Sequence, residues 1–201
     1  MRFFGNIRTS GRSVALLALG AFLTCGGVAL AQATLPSPNA LGLYFDNEAS
    51  TNNLSLAGPA SVQAYLVFTD PTVASVTGWE VKITATSGTS VTGADLPVGT
   101  TALQAGPENW AAVLAEPMPG NTLTKLAIFT ITTDASDNTL IYLGNIDSPS
   151  APGDLPGVKL GDGSWVSLPV QSGDPSQPVA GINTALPTDV ASWGDVKALF
   201  R

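Results

Sequence analysis

The middle of the sequence alternates between apolar and polar residues, and this period of two limits the fold more than any other feature. The stretch GWEVKITAT, residues 78–86, places Trp79, Val81 and Ile83 on one side and polar residues on the other. The stretch SVQAYLVFTD, residues 61–70, alternates in the same way, and the residues of its apolar face are Val62, Ala64, Leu66 and Phe68. Such alternation indicates strands with one buried face. It predicts a β-domain with Trp79 in its core.

Further strand candidates follow along the chain. The stretch LTKLAIFTITTD, residues 123–134, is apolar on both faces for much of its length and predicts a central strand. TLIYLGNI and SWVSLPV are strong candidates, whereas LGLYFD and NWAAVLAE are weaker ones, the second because alanine is a poor strand former. Turn signals such as TDPT, MPGN and SAPGD separate them. Seven or eight short strands without helical periodicity predict an antiparallel two-sheet β-sandwich over residues 41–171.

The N-terminal residues have the three parts of a secretory signal peptide. A head containing Arg2, Arg8 and Arg12 precedes an apolar stretch over residues 14–30, and two overlapping small-x-small sites follow. We expect residues 1–33 to be removed by cleavage after Ala33, with Ala31 as the alternative site. An uncleaved anchor is the other reading, although the apolar stretch is shorter than the roughly 20 residues that span a bilayer. A lipoprotein would be cleaved before Cys25, where a threonine stands in place of the usual glycine or alanine. The prediction is a secreted or cell-surface protein without a membrane span after cleavage, with the periplasm as the alternative location.

Charge and cysteine content exclude several kinds of partner and chemistry. The chain has 8 Lys and Arg against 15 Asp and Glu, and the predicted cleavage removes three arginines, which leaves a net charge of −10. This excludes nucleic acid as a partner and disfavours an anionic membrane surface. Cys25 is the only cysteine, so the cleaved chain would depend on a hydrophobic core without disulfides.

The residues on either side of the predicted sandwich are of two kinds. Residues 34–40 and the Pro-, Ser- and Gly-rich residues 172–187 have the composition of a linker and a flexible tether. Residues 188–201 predict a short helical tail, in which Ser192 and Asp195 form a variant of the capping box. Its candidate docking residues are Trp193, Val196, Leu199 and Phe200, of which Trp193, Val196 and either Leu199 or Phe200 fall at helical spacing. So short a helix is unstable alone in water, and we expect it to dock on this domain or on another molecule.

The residue types present argue against an enzyme. The chain contains no histidine, and without cysteine after cleavage it lacks the Ser-His and Cys-His pairs and the common zinc sites. No phosphate-binding glycine loop is present. A pair of carboxylates, as in glycoside hydrolysis, is the remaining catalytic hypothesis. We expect no catalytic residues and no cofactor.

The sequence offers residues for two further kinds of site. Asp134, Asp137 and Asn138 offer oxygen ligands for calcium, but they lack EF-hand spacing and turn chemistry explains them, so no metal site is predicted. The aromatic side chains of Tyr65, Trp110 and Trp165 could form a platform for a polysaccharide, although single aromatic residues on a sandwich usually pack internally.

Residues 41–168 resemble the cohesin-like and carbohydrate-binding-module-like β-sandwiches of exported bacterial proteins, which share their architecture with immunoglobulin-like domains. The resemblance lies in the order of the strands VQAYLVF, GWEVKI, LTKLAIFTI and TLIYL. The tail SWGDVKALFR resembles a W-G-x-[IV]-K-x-L-[YF]-R terminus of uncharacterised exported proteins, which implies an address or attachment element; a helix that closes one end of the sandwich is the alternative. Together these features predict an exported, non-enzymatic binding or structural module of the cell envelope or extracellular space. It would dock a protein or polysaccharide partner through the sandwich or the tail, with a carbohydrate-binding module as the alternative.

Overall fold

The computed structural model of the protein describes residues 38–86, 88–134, 138–184 and 186. The predicted signal peptide, residues 34–37 of the predicted linker and the predicted tail lie outside these residues. No helix in the described part has the length and hydrophobicity of a membrane span. Its strands are β1 (Ala40–Tyr44), β2 (Asn53–Leu54), β3 (Ala60–Thr69), β4 (Ser75–Ala85), β5 (Thr89–Asp95), β6 (Thr101–Ala105), β7 (Asn109–Pro119), β8 (Leu123–Thr133), β9 (Thr139–Gly144), β10 (Gly157–Leu160), β11 (Trp165–Ser167) and β12 (Ala180–Ile182).

The strands form two sheets, as the alternation predicts. The first sheet has the order β1-β3-β8-β5, and its neighbours are all antiparallel. The stretch predicted to be a central strand is β8, which lies between β3 and β5. The predicted central position is therefore confirmed, although the outer face of β8 is only half-buried and Thr132 on it is exposed.

The second sheet is built around β4. Gly78 pairs with both β7 and β10, and Lys82 pairs with both β7 and β9. Strand β7 therefore follows one edge of β4, while β10 and β9 follow each other along the opposite edge. Strand β6 lies outside β7, β11 lies outside β10, and β12 and β2 continue the sheet beyond β9, with β12 and β2 parallel.

The core lies between the two sheets and is built from the residues that the alternation points inward. Trp79, predicted to be in the core, is buried there and meets Phe129 of β8 in an edge-to-face contact with ring centroids 6.1 Å apart. The apolar face of β3 is also confirmed, because Ala64, Leu66 and Phe68 are fully buried. Aromatic pairs of this geometry add to the free energy that burial itself contributes.

The predicted tether over residues 172–187 is wrong in its central part. Residues 180–182 form β12, which bonds to β9 on one side and to β2 on the other. Val179, Ala180 and Ile182 are buried in the core. A strand of three residues is too short to show periodicity, and the glycines, prolines and serines around it favour a tether in the sequence. The sandwich therefore extends at least to Ile182. At the other end, β1 begins at Ala40, one residue before the predicted boundary.

Candidate functional site

A row of five positions crosses the outer face of the second sheet. Thr101 of β6 lies opposite Val113 of β7, and Val113 lies opposite Gly78 of β4. Gly78 lies opposite Lys159 of β10, which lies opposite Trp165 of β11. Positions directly opposite each other in a sheet point to the same side. The neighbouring row, which contains Trp79, is buried in the core, so this row faces outward. We call the outer face around it the docking face.

The docking face combines apolar and polar groups without a protruding centre. Gly78 contributes no side chain, and a Cβ placed there would lie 2.9 Å from the carbonyl oxygen of Ala112 and 3.3 Å from the Cβ of Lys159. Val113 is half-buried, and Thr101 and Ala115 are exposed. A partly apolar centre with a polar rim is the usual composition of a protein-binding surface.

Two large apolar side chains border the docking face. Leu103 stands at a bulge of the outermost strand β6, and its side chain is 59% exposed. Val98 is fully exposed in the loop between β5 and β6. This loop meets the docking face, because a Cβ on Gly99 would lie 2.9 Å from the Cβ of Ala115. Val98 and Leu103 are the exposed large hydrophobic side chains of the described residues, and both lie within three residues of Thr101 in sequence.

A buried carboxylate fixes the loop over residues 145–156, which borders the docking face. Glu80 points outward from β4, as the alternation predicts, yet it is only 1% exposed. Its Oε1 accepts hydrogen bonds from the backbone N–H of Ser150 at 2.9 Å and of Ala151 at 2.7 Å, and its Oε2 accepts one from Ser150 at 3.0 Å. Opposite stands Gly157, where a Cβ would lie 2.5 Å from that of Ala151 and 3.1 Å from the Glu80 Oε1. Buried charges persist where hydrogen bonds replace lost hydration, and here these bonds fix residues 145–156 over the sheet.

An ion pair fastens the same loop at a second point. The ammonium of Lys82 lies 2.9 Å from the Oδ1 of Asp147 and 3.6 Å from the Oε2 of Glu108. Asn109 donates to the Asp147 carboxylate at 2.8 Å and accepts from the Asp147 N–H at 3.0 Å. The hydrogen bond from Lys82 lowers the pKa of Asp147, and the same bond raises the pKa of Lys82. The carboxylates of Asp147 and Glu108 therefore both bind the Lys82 ammonium. They do not face each other across an open cleft, as glycoside hydrolysis would require.

The outer face of the first sheet has a different character. The hydroxyl of Thr132 on β8 lies 3.1 Å from that of Ser61 on β3 and 3.3 Å from that of Thr92 on β5. These hydroxyl groups satisfy one another along the surface. The row is polar, and its hydrogen-bonding capacity is already in part used.

Towards one end of this face a small apolar cluster lies beneath the loop after β1. Tyr44 and Val67 are buried there together with Ala49 of the loop. Burial and then the nearby Asp46 carboxylate raise the pKa of Tyr44 to about 12. Burial also acts to raise the pKa of Asp46, but hydrogen bonds within the loop, Ser50 foremost, lower it below its usual value. The loop thus covers the apolar part of the first sheet.

The three aromatic residues predicted as a sugar platform do not come together. Trp110 lies opposite Val81, which points inward, so it is 7% exposed and packs against Phe129 at 5.2 Å between ring centroids. The sequence left the exposure of Trp110 open because it follows a turn, and the register across the sheet turns its side chain inward. Tyr65 lies half-buried on the outer face of the first sheet, beside the cluster of Tyr44. Trp165 lies half-buried on β11 of the second sheet.

The remaining predicted residues are only partly described. Asp134 follows β8, and its backbone N–H donates to the Gly88 carbonyl at 3.0 Å. Asn138 precedes β9, while Asp137 lies outside the described residues. Within the described part of the chain, no group of three or more acidic residues could hold a metal ion. The predicted docking residues of the tail also lie outside it, namely Trp193, Val196, Leu199 and Phe200.

The sequence analysis did not predict the docking face or the loop over residues 145–156 that borders it. Local alternation puts Glu80 and Lys82 on the outer side of β4, but it carries no sign that a loop some 70 residues later covers the first and pairs with the second. The pairing of Thr101, Val113, Gly78 and Lys159 likewise depends on strand register. The one available signal was the uncharged stretch LPVGTTALQAG, residues 96–106, in a strongly acidic chain.

No protein-family model matches the sequence, and no curated protein matches it. Among solved structures, the fold is similar to the sixth cohesin of scaffoldin B from Acetivibrio cellulolyticus, solved in complex with a mutant Cel5 dockerin. The TM-score is 0.50 at 8% sequence identity, over 74% of this chain and 100% of that one. It is also similar to the third ScaB cohesin of R. flavefaciens, in complex with a group 1 dockerin, with a TM-score of 0.47, 18% identity and coverage of 76% and 100%. A cohesin module from a Clostridium perfringens family 33 glycoside hydrolase matches with a TM-score of 0.43, 11% identity and coverage of 65% and 92%. The described part of the chain is thus a cohesin-like β-sandwich.

Proposed function

We propose that this chain is an exported, non-enzymatic module that binds a protein partner through the docking face. The observation that carries the proposal is the outward row of Thr101, Val113, Gly78 and Lys159, bordered by the exposed side chain of Leu103. The cohesin-like fold supports it, because the similar cohesin of Acetivibrio cellulolyticus was solved in complex with a dockerin. Export rests on the residues 1–33 of the sequence.

The two outer faces of the sandwich differ in what they leave exposed. On the first sheet the hydroxyls of Ser61, Thr92 and Thr132 bond to one another, and the apolar cluster around Tyr44 is covered by its own loop. On the docking face, Val113 and Leu103 keep apolar surface in contact with solvent. Burying such surface against a partner is the main favourable term in association. The docking face is therefore the better candidate.

Charge defines the chemistry of the partner. The sequence has 15 acidic and 8 basic residues, and the docking face itself contributes the lysine Lys159. An acidic protein attracts a partner with basic groups around its contact area, and this steers the encounter more than it adds affinity. We expect the partner to present an apolar patch with an acidic group opposite Lys159 and basic groups farther out, and we expect an association rate that falls as salt increases.

Site-specific photocrosslinking in the cells that produce the protein tests the proposal. A photoreactive amino acid replaces Thr101 in one strain and Thr132 in another, two exposed threonines on opposite outer faces. We expect a discrete protein adduct from position 101 and none from position 132. The proposal fails if position 101 yields no adduct, if position 132 yields the same adduct, or if position 101 captures only polysaccharide.

A further inference from the structure

The chain leaves the sandwich by a fixed turn after β12. Asn183 has a positive φ of 56°, and its backbone N–H donates to the Leu54 carbonyl at 2.8 Å. Its Oδ1 accepts from the backbone N–H of Leu56 at 2.7 Å, and the Asn53 amide donates to the Thr184 carbonyl. A left-handed residue reverses the chain direction sharply, and asparagine is among the residues that tolerate it. The exit direction is thus set by three hydrogen bonds.

This turn brings Leu186 onto the outer face of the second sheet. A Cβ on Gly181 would lie 3.1 Å from the Cδ2 of Leu186, so the leucine covers that glycine. Gly181 lies opposite Leu140 of β9. Their neighbours Ala180 and Ile141 are buried in the core, so Gly181 and Leu140 point outward. The described chain therefore ends next to Leu140.

An apolar strip continues from this point along β9. Leu140 and Tyr142 are both half-buried on the outer face, and Tyr142 lies opposite Thr84 of β4. Neither side chain packs against the central core. We call Leu140, Tyr142 and Leu186 the β9 strip.

The far end of β9 carries an excess of negative charge. Gly144 lies opposite Lys82, whose ammonium is shared by the carboxylates of Asp147 and Glu108. The side chains of these two acids are 65% and 53% exposed. Two carboxylates against one ammonium favour the approach of a further cation.

The residues that follow Leu186 match the β9 strip in length, polarity and charge. Residues 187–191 can span up to about 17 Å, and ten helical residues are about 15 Å long. The strip from Leu140 to Gly144 covers about 14 Å. In residues 192–201 the apolar side chains of Trp193 and Val196 come first, and Lys197 and Arg201 lie towards the end together with the apolar Leu199 and Phe200. A helix that runs along β9 would place apolar groups over the strip and cations towards Asp147 and Glu108.

We propose that residues 192–201 dock on the β9 strip of the same chain, with Trp193 against Leu140 and Tyr142. A tether of five residues holds the tail at a high effective concentration near the strip, so that a modest contact is enough. The contact also supplies the packing that so short a helix requires. This inference does not rest on the proposed function, because the β9 strip and the docking face share no residue.

Amide hydrogen exchange on residues 34–201 tests this docking. We expect the amides of 192–201 to exchange at least tenfold more slowly than in an unstructured peptide. Leu140→Glu should return them to within twofold of the unstructured rate. Leu103→Glu places the same charge at an exposed leucine on β6 and should leave the protection unchanged.

A second variant keeps the test independent of the stability of the sheet. Trp193→Ser changes no residue of the two sheets, and it should remove the protection of 194–201 while the exchange of the core strands stays as in the unmodified chain. Exchange of the tail at the unstructured rate in the unmodified chain would overturn the proposal. So would protection that survives Leu140→Glu, or protection that grows with protein concentration, which would assign the contact to a second copy.

Discussion

The carboxylate of Glu80 accepts the backbone N–H of Ala151 at 2.7 Å, in a site where Glu80 is 1% exposed. Residue 80 lies on a central strand and residue 151 in the loop after β9. This contact, together with the two from Ser150, anchors the loop that borders the docking face. The Glu80 carboxylate thus lies beneath the loop over residues 145–156 and fixes its position.

We expect Glu80→Gln to lower the free energy of unfolding by about 2 kcal/mol, because hydrogen bonds to a charged acceptor are lost and an amide NH₂ faces the remaining donors. Urea denaturation measures the change. Glu116→Gln, at an exposed position of β7, is the matched control and should stay within about 0.5 kcal/mol of the unmodified chain. Equal stability of the two variants would contradict an anchoring role for Glu80.

The ion pair at Lys82 predicts an acid-dependent loss of stability. The Lys82 hydrogen bond lowers the folded-state pKa of Asp147, so the stabilisation is present above the unfolded pKa of about 3.9 and is lost as pH falls through the folded value. Asp147→Asn should flatten this acidic limb in denaturation curves recorded from pH 7 down to pH 2. The same substitution in a Lys82→Met background should have a smaller effect on the limb. An unchanged acidic limb in the Asp147→Asn chain would show that the pair does not stabilise the fold.

Tyr44→Phe should stabilise the protein by about 1 kcal/mol at neutral pH, because the Tyr44 hydroxyl is buried without a hydrogen-bond partner in the described part of the chain. It should also change the alkaline limb. A folded pKa of about 12, above the usual 10, means that stability falls between these values as the unfolded chain ionises first. Thermal unfolding from pH 8 to pH 12 measures both effects. Tyr65→Phe, at a half-buried tyrosine of the same face, is the control. It should retain most of the loss of stability that the unmodified chain shows at alkaline pH.

Val113→Asp should weaken capture of the crosslinked partner at least thirtyfold, as expected when a charge enters the centre of an interface whose main residues contribute about 2 kcal/mol or more. Its melting temperature should stay close to that of Thr132→Asp, which places the same charge on the first sheet. Titration of the identified partner against both variants gives the comparison. Equal affinities would remove the docking face from the binding site.

Trp110→Ala should cost about 3–5 kcal/mol of stability, because it removes a core aromatic side chain that packs against Phe129. Trp165→Ala, at a half-buried residue of an edge strand, should cost less than half as much. Chemical denaturation separates the two. A surface-like effect at position 110 would return that tryptophan to the candidates for ligand binding.

Much of the fold follows from local sequence. The two-residue period sets which side of β3 and β4 is buried, and Trp79, Leu66 and Phe68 lie where it predicts. It succeeds because the direction of a side chain in a strand depends only on its position along that strand. The continuous apolar stretch of β8 identified it as an interior strand, and it has a neighbour on each side, although Thr132 on its outer face is exposed.

Tertiary structure alone decided the rest. Trp110 turns inward because it pairs with Val81, Ala180–Ile182 becomes a strand because β9 and β2 offer it hydrogen bonds, and Glu80 is buried because a loop folds over it. Each of these depends on residues far apart in the chain. The alternation of a strand specifies its two faces, but the strand beside it and the loop above it are set by long-range pairing, and these create the docking face and the β9 strip.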